Sequence, residues 1–130
     1  MKKKKKELLL FIAIFIITIL LLRFWVLIIQ EKSIYILGYE IHHMFIGIFL
    51  VLLSGFSRFF SKNKVLNKID LFTFAIGAGM IIDEVVFIIF TAGEHLDYLS
   101  FLSLGGAIGL ALVLIIIFYI IFKGEQDGKI

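Results

Sequence analysis

The sequence predicts an all-α membrane protein: a bundle of four transmembrane helices with both termini cytoplasmic. Three observations predict it. The chain of 130 residues is 62% hydrophobic, with a mean hydropathy of +1.11, whereas soluble chains run at about 45–50% apolar. Its apolar residues fall into four runs, at 8–29, 34–60, 71–92 and 99–122, and each is long enough to cross a hydrocarbon layer about 30 Å thick, for which about 20 helical residues suffice. Lys and Arg are shared unevenly between the two sides, eleven of the thirteen falling on one. Residues 1–130 thus read as one transmembrane domain, with a basic N-terminal segment at 1–7.

The first run follows Lys2 to Lys6, an arrangement that resembles a secretory signal. The run is longer than the roughly 7–15 residues of a signal's apolar region, and no small-x-small cleavage site follows it, so the expectation is an uncleaved first helix. The second run carries Glu40, His42 and His43 near its start and ends on Phe60, the third carries Asp83 and Glu84, and the fourth contains the stretch SLGGAIGLA. Arg58, Lys62, Lys64 and Lys68 separate the second and third runs, and Lys123 and Lys129 follow the fourth. Together with the N-terminal lysines these place both termini inside, while Arg23 and Lys32 lie near the other side. The formal charge of +3 is then a signal of orientation. Anionic lipid headgroups are the expected contact of the N-terminal lysines, and nucleic acid is not. Absence of cysteine excludes disulfides, thiol chemistry and thiolate metal sites; absence of proline excludes proline kinks.

Depth is the most informative feature. Counting from the cytoplasmic side near Asp70, Asp83 lies about 20 Å along its helix by the helical rise. A second helix entering from outside near Ile34 would hold Glu40, His42 and His43 about 9–14 Å deep by the same rise. Arg23 also falls in the outer half. Arg23, Glu40, His42, His43, Asp83 and Glu84 therefore share one layer, and Glu94, His95 and Asp97 in the connection TAGEHLDYLS lie just above it.

Facing angles refine the picture. At 100° per residue, Glu40, His43, Gly47 and Ser54 share a stripe of the second helix, with Phe45 and Phe49 opposite, toward lipid. Ala75, Gly79 and Asp83 follow one another at four-residue steps, and small residues line helix contacts in membranes, so Asp83 points into the bundle. Glu84 stands about 100° away, in line with Gly77. In the fourth helix Gly105-x-x-x-Gly109 is one close-packing pattern, and Ser100, Ser103, Ala107 and Ala111 form another; one face could pack within the bundle and the other on a second copy, giving a homo-oligomer through Gly105 and Gly109. Trp25, Tyr35, Tyr39, Tyr98 and Tyr119 read as interface aromatics.

Glu40-x-x-His43 aims a carboxylate and an imidazole at one point if both stand on one helix. Asp83 or Glu84 could add oxygen ligands, and His42 or His95 a nitrogen, a mixed set that suits zinc, iron or manganese. The competing reading is an ion-pair network in which Arg23 neutralises Asp83 or Glu84, since charges buried in lipid require partners. His43, Asp83 and Glu84 are the candidates for acid–base chemistry.

The segments HHMFIG at 42–47 and GAGMIIDEVVF at 77–87 resemble a pattern in small uncharacterised prokaryotic polytopic membrane proteins, His-His-x-x-x-Gly followed by Gly-x-Gly-x-x-x-Asp-Glu. The resemblance implies no activity; it implies that His42, His43, Asp83 and Glu84 belong together. Three functions are therefore expected in order. The first is an outward-facing metal or acid–base site acting on a lipid or small extracytoplasmic substrate. The second is proton, ion or small-solute transport as an oligomer, and the third an accessory or structural membrane subunit. No phosphate loop, nucleotide motif or Ser/His/Asp order is present.

Overall fold

The computed structural model describes the backbone of residues 2–29, 34–36, 39–61, 63–91 and 97–126. Four helices make up nearly all of it: α1 (Lys2–Ile29), α2 (His43–Phe60), α3 (Lys64–Thr91) and α4 (Phe101–Gln126). All four are long and apolar enough to cross a membrane, which suggests a multi-pass membrane protein. A short antiparallel ribbon, β1 (Ile34–Ile36) with β2 (Tyr39–Ile41), precedes α2.

The helix bounds correct the sequence expectation, most consequentially in α2. That helix was expected over 34–60 and begins at His43. Residues 34–41, IYILGYEI, alternate β-branched and aromatic side chains around Leu37-Gly38, which is a hairpin signal. The ribbon pairs Ile34 with Ile41, Tyr35 with Glu40 and Ile36 with Tyr39. Its residues are as apolar as the helix that follows, so hydropathy alone merges the two. An open ribbon has unpaired edges that hydrocarbon does not satisfy, whereas α2, 18 residues long, spans about 27 Å by itself.

The other helices run past their apolar runs into charged sequence, because hydropathy marks the buried span and not the helix ends. α3 was expected over 71–92 and starts at Lys64, where the Asn63 side chain accepts from Val65 N–H at 2.8 Å as a helix cap. α4 was expected over 99–122 and starts at Phe101. Ser100 lies before it, accepting the Ser103 N–H on its hydroxyl at 3.2 Å and the Leu104 N–H on its carbonyl at 2.9 Å. α1 was expected over 8–29 and extends back through the lysines to Lys2.

α3 is the central element, packed against α1, α2 and α4, and its glycines set how closely. A Cβ on Gly47 would stand 2.6 Å from the Gly77 carbonyl oxygen, and one on Gly77 would stand 2.7 Å from that of Gly47. Only hydrogen fits at this crossing, so α2 and α3 meet backbone to backbone. Gly79 receives Thr18 of α1 in the same way. An apolar core of Phe11, Phe15, Ile19, Ala75, Ile82 and Ala111 fills the end of the bundle nearer the N-terminus, with the Phe11 ring edge-on to Phe118 at 5.4 Å. Phe45, Phe49, Leu52 and Phe56 on α2, and Ile116 and Ile120 on α4, turn outward.

Candidate functional site

A buried polar cluster lies at the opposite end from that core and draws on all four helices. Asp83 and Glu84 of α3 are 0% exposed. Being adjacent on a helix they diverge by about 100°, so Asp83 turns to α1 and α4 and Glu84 turns to α2.

On the first side, Arg23 extends from α1 and donates from Nε to Asp83 Oδ1 at 2.5 Å, from Nη2 to the Asp83 carbonyl at 2.8 Å and from Nη1 to Ser103 Oγ of α4 at 3.1 Å. Nη1 also donates to the Tyr98 carbonyl. The guanidinium lies over the Tyr98 ring, 4.2 Å from its centroid, a cation–π geometry. The Tyr98 hydroxyl donates to Asp83 Oδ2. Burial first, and then the Asp83 carboxylate, push the Tyr98 hydroxyl far above the ordinary phenol range, so it remains a donor. The ring is held edge-on by Phe87 at 5.3 Å and by His43 at 6.1 Å.

On the second side, Glu84 reaches the start of α2. Its Oε2 accepts the Met44 N–H at 2.8 Å. His42 is the N-cap residue of α2 and makes no side-chain cap bond, so a carboxylate from another helix serves an amide that would otherwise be orphaned at the positive end of α2. Glu84 Oε1 pairs with His42 Nδ1 at 2.6 Å, the His42 side chain being 22% exposed.

His43 joins the two sides. Its Nε2 is 3.2 Å from Asp83 Oδ2 and its Nδ1 is 3.2 Å from Glu84 Oε2. A neutral imidazole has one N–H and can donate to one of these oxygens only. Serving both takes the doubly protonated ring or a proton on one carboxyl. Asp83 faces the Arg23 guanidinium, whereas Glu84 faces the two histidines.

The structure therefore brings together Arg23, His42, His43, Asp83 and Glu84, and adds Tyr98 and Ser103, which sequence reasoning did not place there. Tyr98, read as an interface aromatic, is fully buried. The signal for it is chemical rather than periodic: a tyrosine near an acid in an apolar helix can bury its ring readily when its hydroxyl finds an acceptor. Ser103 belongs to the small stripe with Ala107 and Ala111, all buried. Glu40 is corrected: its backbone is in β2 opposite Tyr35, so Glu40 and His43 are not one helical turn apart, and its side chain lies outside the described residues. Glu94 and His95 also lie outside them, and Asp97 sits in the turn before α4, where its carbonyl accepts the Ser100 N–H at 3.0 Å.

Among the described residues, no group of three or more His, Asp or Glu is arranged to hold a metal ion. Of the expected zinc, iron or manganese set, Asp83 faces a guanidinium and a hydroxyl, and Glu84 faces a backbone amide. Gly105 and Gly109 are open, with nothing within 4 Å of an added Cβ, while Gly106 is the glycine packed inside, against Val86.

Comparison with protein-family models, with curated proteins and with solved structures finds no match for this chain.

Proposed function

We propose that the protein is a multi-pass protein of the cell membrane, both termini cytoplasmic, whose buried cluster is an acid–base site holding one exchangeable proton toward the outer face. The observation that supports this most directly is the His43 ring, with each nitrogen 3.2 Å from a different buried carboxylate. His42, partly exposed and 2.6 Å from Glu84, is the entrance. Glu84 and His43 hold the proton. Arg23 and Tyr98 fix Asp83 as the counter-charge, as preorganised donors do in a low-dielectric site. A group that gives and takes a proton at the outer face is suited to acid–base chemistry on a lipid headgroup or a small extracytoplasmic solute.

A through-path for protons is less well supported. Beyond the cluster, Phe11, Phe15, Ile19, Ala75 and Ile82 form an apolar core; of the buried polar side chains there, Thr18 and Ser54 donate to their own helices, at Ile14 O and Val51 O, and Asp70 lies two helical turns beyond the Gly47–Gly77 crossing. A metal reading is opposed by Arg23, whose charge lies beside Asp83.

Proton uptake by the purified protein in nanodiscs tests the proposal. Wild type should exchange one proton that Glu84→Gln and His43→Asn each abolish, and His42→Ala should slow the exchange without changing its stoichiometry. Exchange that persists in both of the first two variants refutes the proton site. Loss of stability with no proton exchange in wild type would leave a purely structural ion-pair network. Accessibility of tags at residues 1 and 130 in intact cells checks the orientation, and labelling of either from outside would reverse the face to which the site opens.

A further inference from the structure

The α2–α3 interface has a second polar end, remote from the cluster. Gly47 and Gly77 meet at its centre, and Glu84 meets His43 on one side of that crossing. Two helical turns to the other side, seven residues along each antiparallel helix, lead to Ser54 on α2 and Asp70 on α3. These residues continue the stripes His43–Gly47–Ser54 and Glu84–Gly77–Asp70. Both remain covered, Ser54 at 2% and Asp70 at 8% exposure. Asn67, three residues before Asp70, stands on the same side of α3.

A count of donors at this level does not balance. Asp70 Oδ2 and Asn67 Oδ1 are buried and have no hydrogen-bond partner. The single proton of Ser54 goes to its own helix, to the Val51 carbonyl at 3.0 Å, so its oxygen presents lone pairs only. Two unpartnered oxygens and one hydroxyl whose proton is already used thus lie on the facing stripes of α2 and α3, with the Asn67 amide nitrogen as the one donor among these three side chains, while among the described residues Arg58, Lys64 and Lys68 at this end have exposed side chains. A buried carboxylate oxygen left without a partner is costly. What satisfies several oxygens at once is a hard cation. Among the described residues no histidine stands at this level, and the chain has no cysteine, so a softer transition metal has no preferred ligand among them. One carboxylate among neutral oxygens balances a single positive charge.

We infer that Asp70, Asn67 and Ser54 bind a small monovalent cation, sodium, at the end of the α2–α3 interface remote from the histidines. The site shares no residue with the acid–base cluster and stands or falls independently of it.

The test is thermal unfolding of the full-length protein in detergent, with sodium chloride exchanged for choline chloride at constant ionic strength and constant pH. The midpoint should rise with sodium and saturate, and the half-saturating concentration should increase at least tenfold in Asn67→Ala and Ser54→Ala. Asp70→Asn should remove the response; should that variant fail to fold, the other two carry the test. Equal midpoints in sodium and choline overturn the inference, as does a sodium response that neither Asn67→Ala nor Ser54→Ala alters. No sodium response, with Asn67→Ala strongly destabilising, would show that the Asn67 amide nitrogen serves the carboxylate instead. A response to pH alone would show that a proton does.

Discussion

Replacing Asp83 by Asn removes one charge and almost no volume, which isolates the electrostatics of the cluster. In the wild type the two Asp83 oxygens face three donors or potential donors: Arg23 Nε at 2.5 Å, the Tyr98 hydroxyl, and His43 Nε2 at 3.2 Å. Asparagine offers one oxygen and an amide group that is itself a donor. At least one donor loses its acceptor, and Arg23, 6% exposed, loses its counter-charge. Breaking a buried pair from one side typically costs about 3–5 kcal/mol. Arg23 keeps its bonds to the carbonyls of Asp83 and Tyr98 and to Ser103, so the lower end applies. A loss of about 3 kcal/mol corresponds to roughly a 150-fold shift of the unfolding equilibrium. The assay is reversible unfolding in mixed micelles, with Asp83→Asn measured alone and a double-mutant cycle closed by Arg23→Met, Asp83→Leu and the pair Arg23→Met/Asp83→Leu. Because an apolar replacement of both partners is often neutral or stabilising, the double variant should be more stable than either single one. A double variant whose loss equals the sum of the two would refute the reasoning, since it would mean that the guanidinium and the carboxylate contribute separately.

Tyr98→Phe deletes the hydroxyl that donates to Asp83 and keeps the ring over Arg23; it should cost about 1.5–3 kcal/mol, the range for a hydrogen bond to a charged group, in the same unfolding assay. Gly47→Ala places a methyl 2.6 Å from the Gly77 carbonyl and should cost about 1–3 kcal/mol as overpacking, with weaker cysteine cross-linking between engineered positions at the starts of α2 and the end of α3. Gly106→Leu should destabilise through Val86, whereas Gly105→Leu and Gly109→Leu, in open surroundings, should stay within about 0.5 kcal/mol as surface substitutions do. A large effect of the latter two on protomer unfolding, or on the apparent mass in detergent, would identify that face as a contact between copies.

Much of this arrangement is legible because the background is so apolar. In a run such as AIGAGMIIDEVVFIIF, two acids can be placed by depth and facing angle from helical geometry alone, and the same holds for Arg23 and His43. What the sequence hides is of two kinds. The ribbon at 34–41 has the hydropathy of a helix, and its alternation is short, so Glu40 was carried onto a helical stripe that does not exist. Tyr98 enters the cluster through the turn before α4, where no period constrains the direction of a side chain, and Ser103 enters from the small stripe of α4, whose period gives its face but not its partner. The two glycine pairs show the limit from another angle. Gly47 and Gly77 come into contact only because two stripes from different helices cross there, while Gly105-x-x-x-Gly109, the better motif in sequence, faces away from the bundle.

The partners of Arg23 all come later in the chain: Asp83 by 60 residues, Tyr98 by 75 and Ser103 by 80. At a synthesis rate of about 5–20 residues per second, the guanidinium precedes its counter-charge by roughly 3–12 s. On the proposed topology, α1 enters the bilayer as a helix with an unneutralised cation, a cost of about 2.5–3.5 kcal/mol near the membrane centre and less toward the interface. α2 waits in the same way, since the carboxylate that caps its first turn is 40 residues downstream. Neither helix has its final hydrogen bonds until α3 arrives with Asp83 and Glu84 side by side. On that topology assembly has a timed step: α1 and α2 each lack a partner for several seconds, and one dipeptide supplies both.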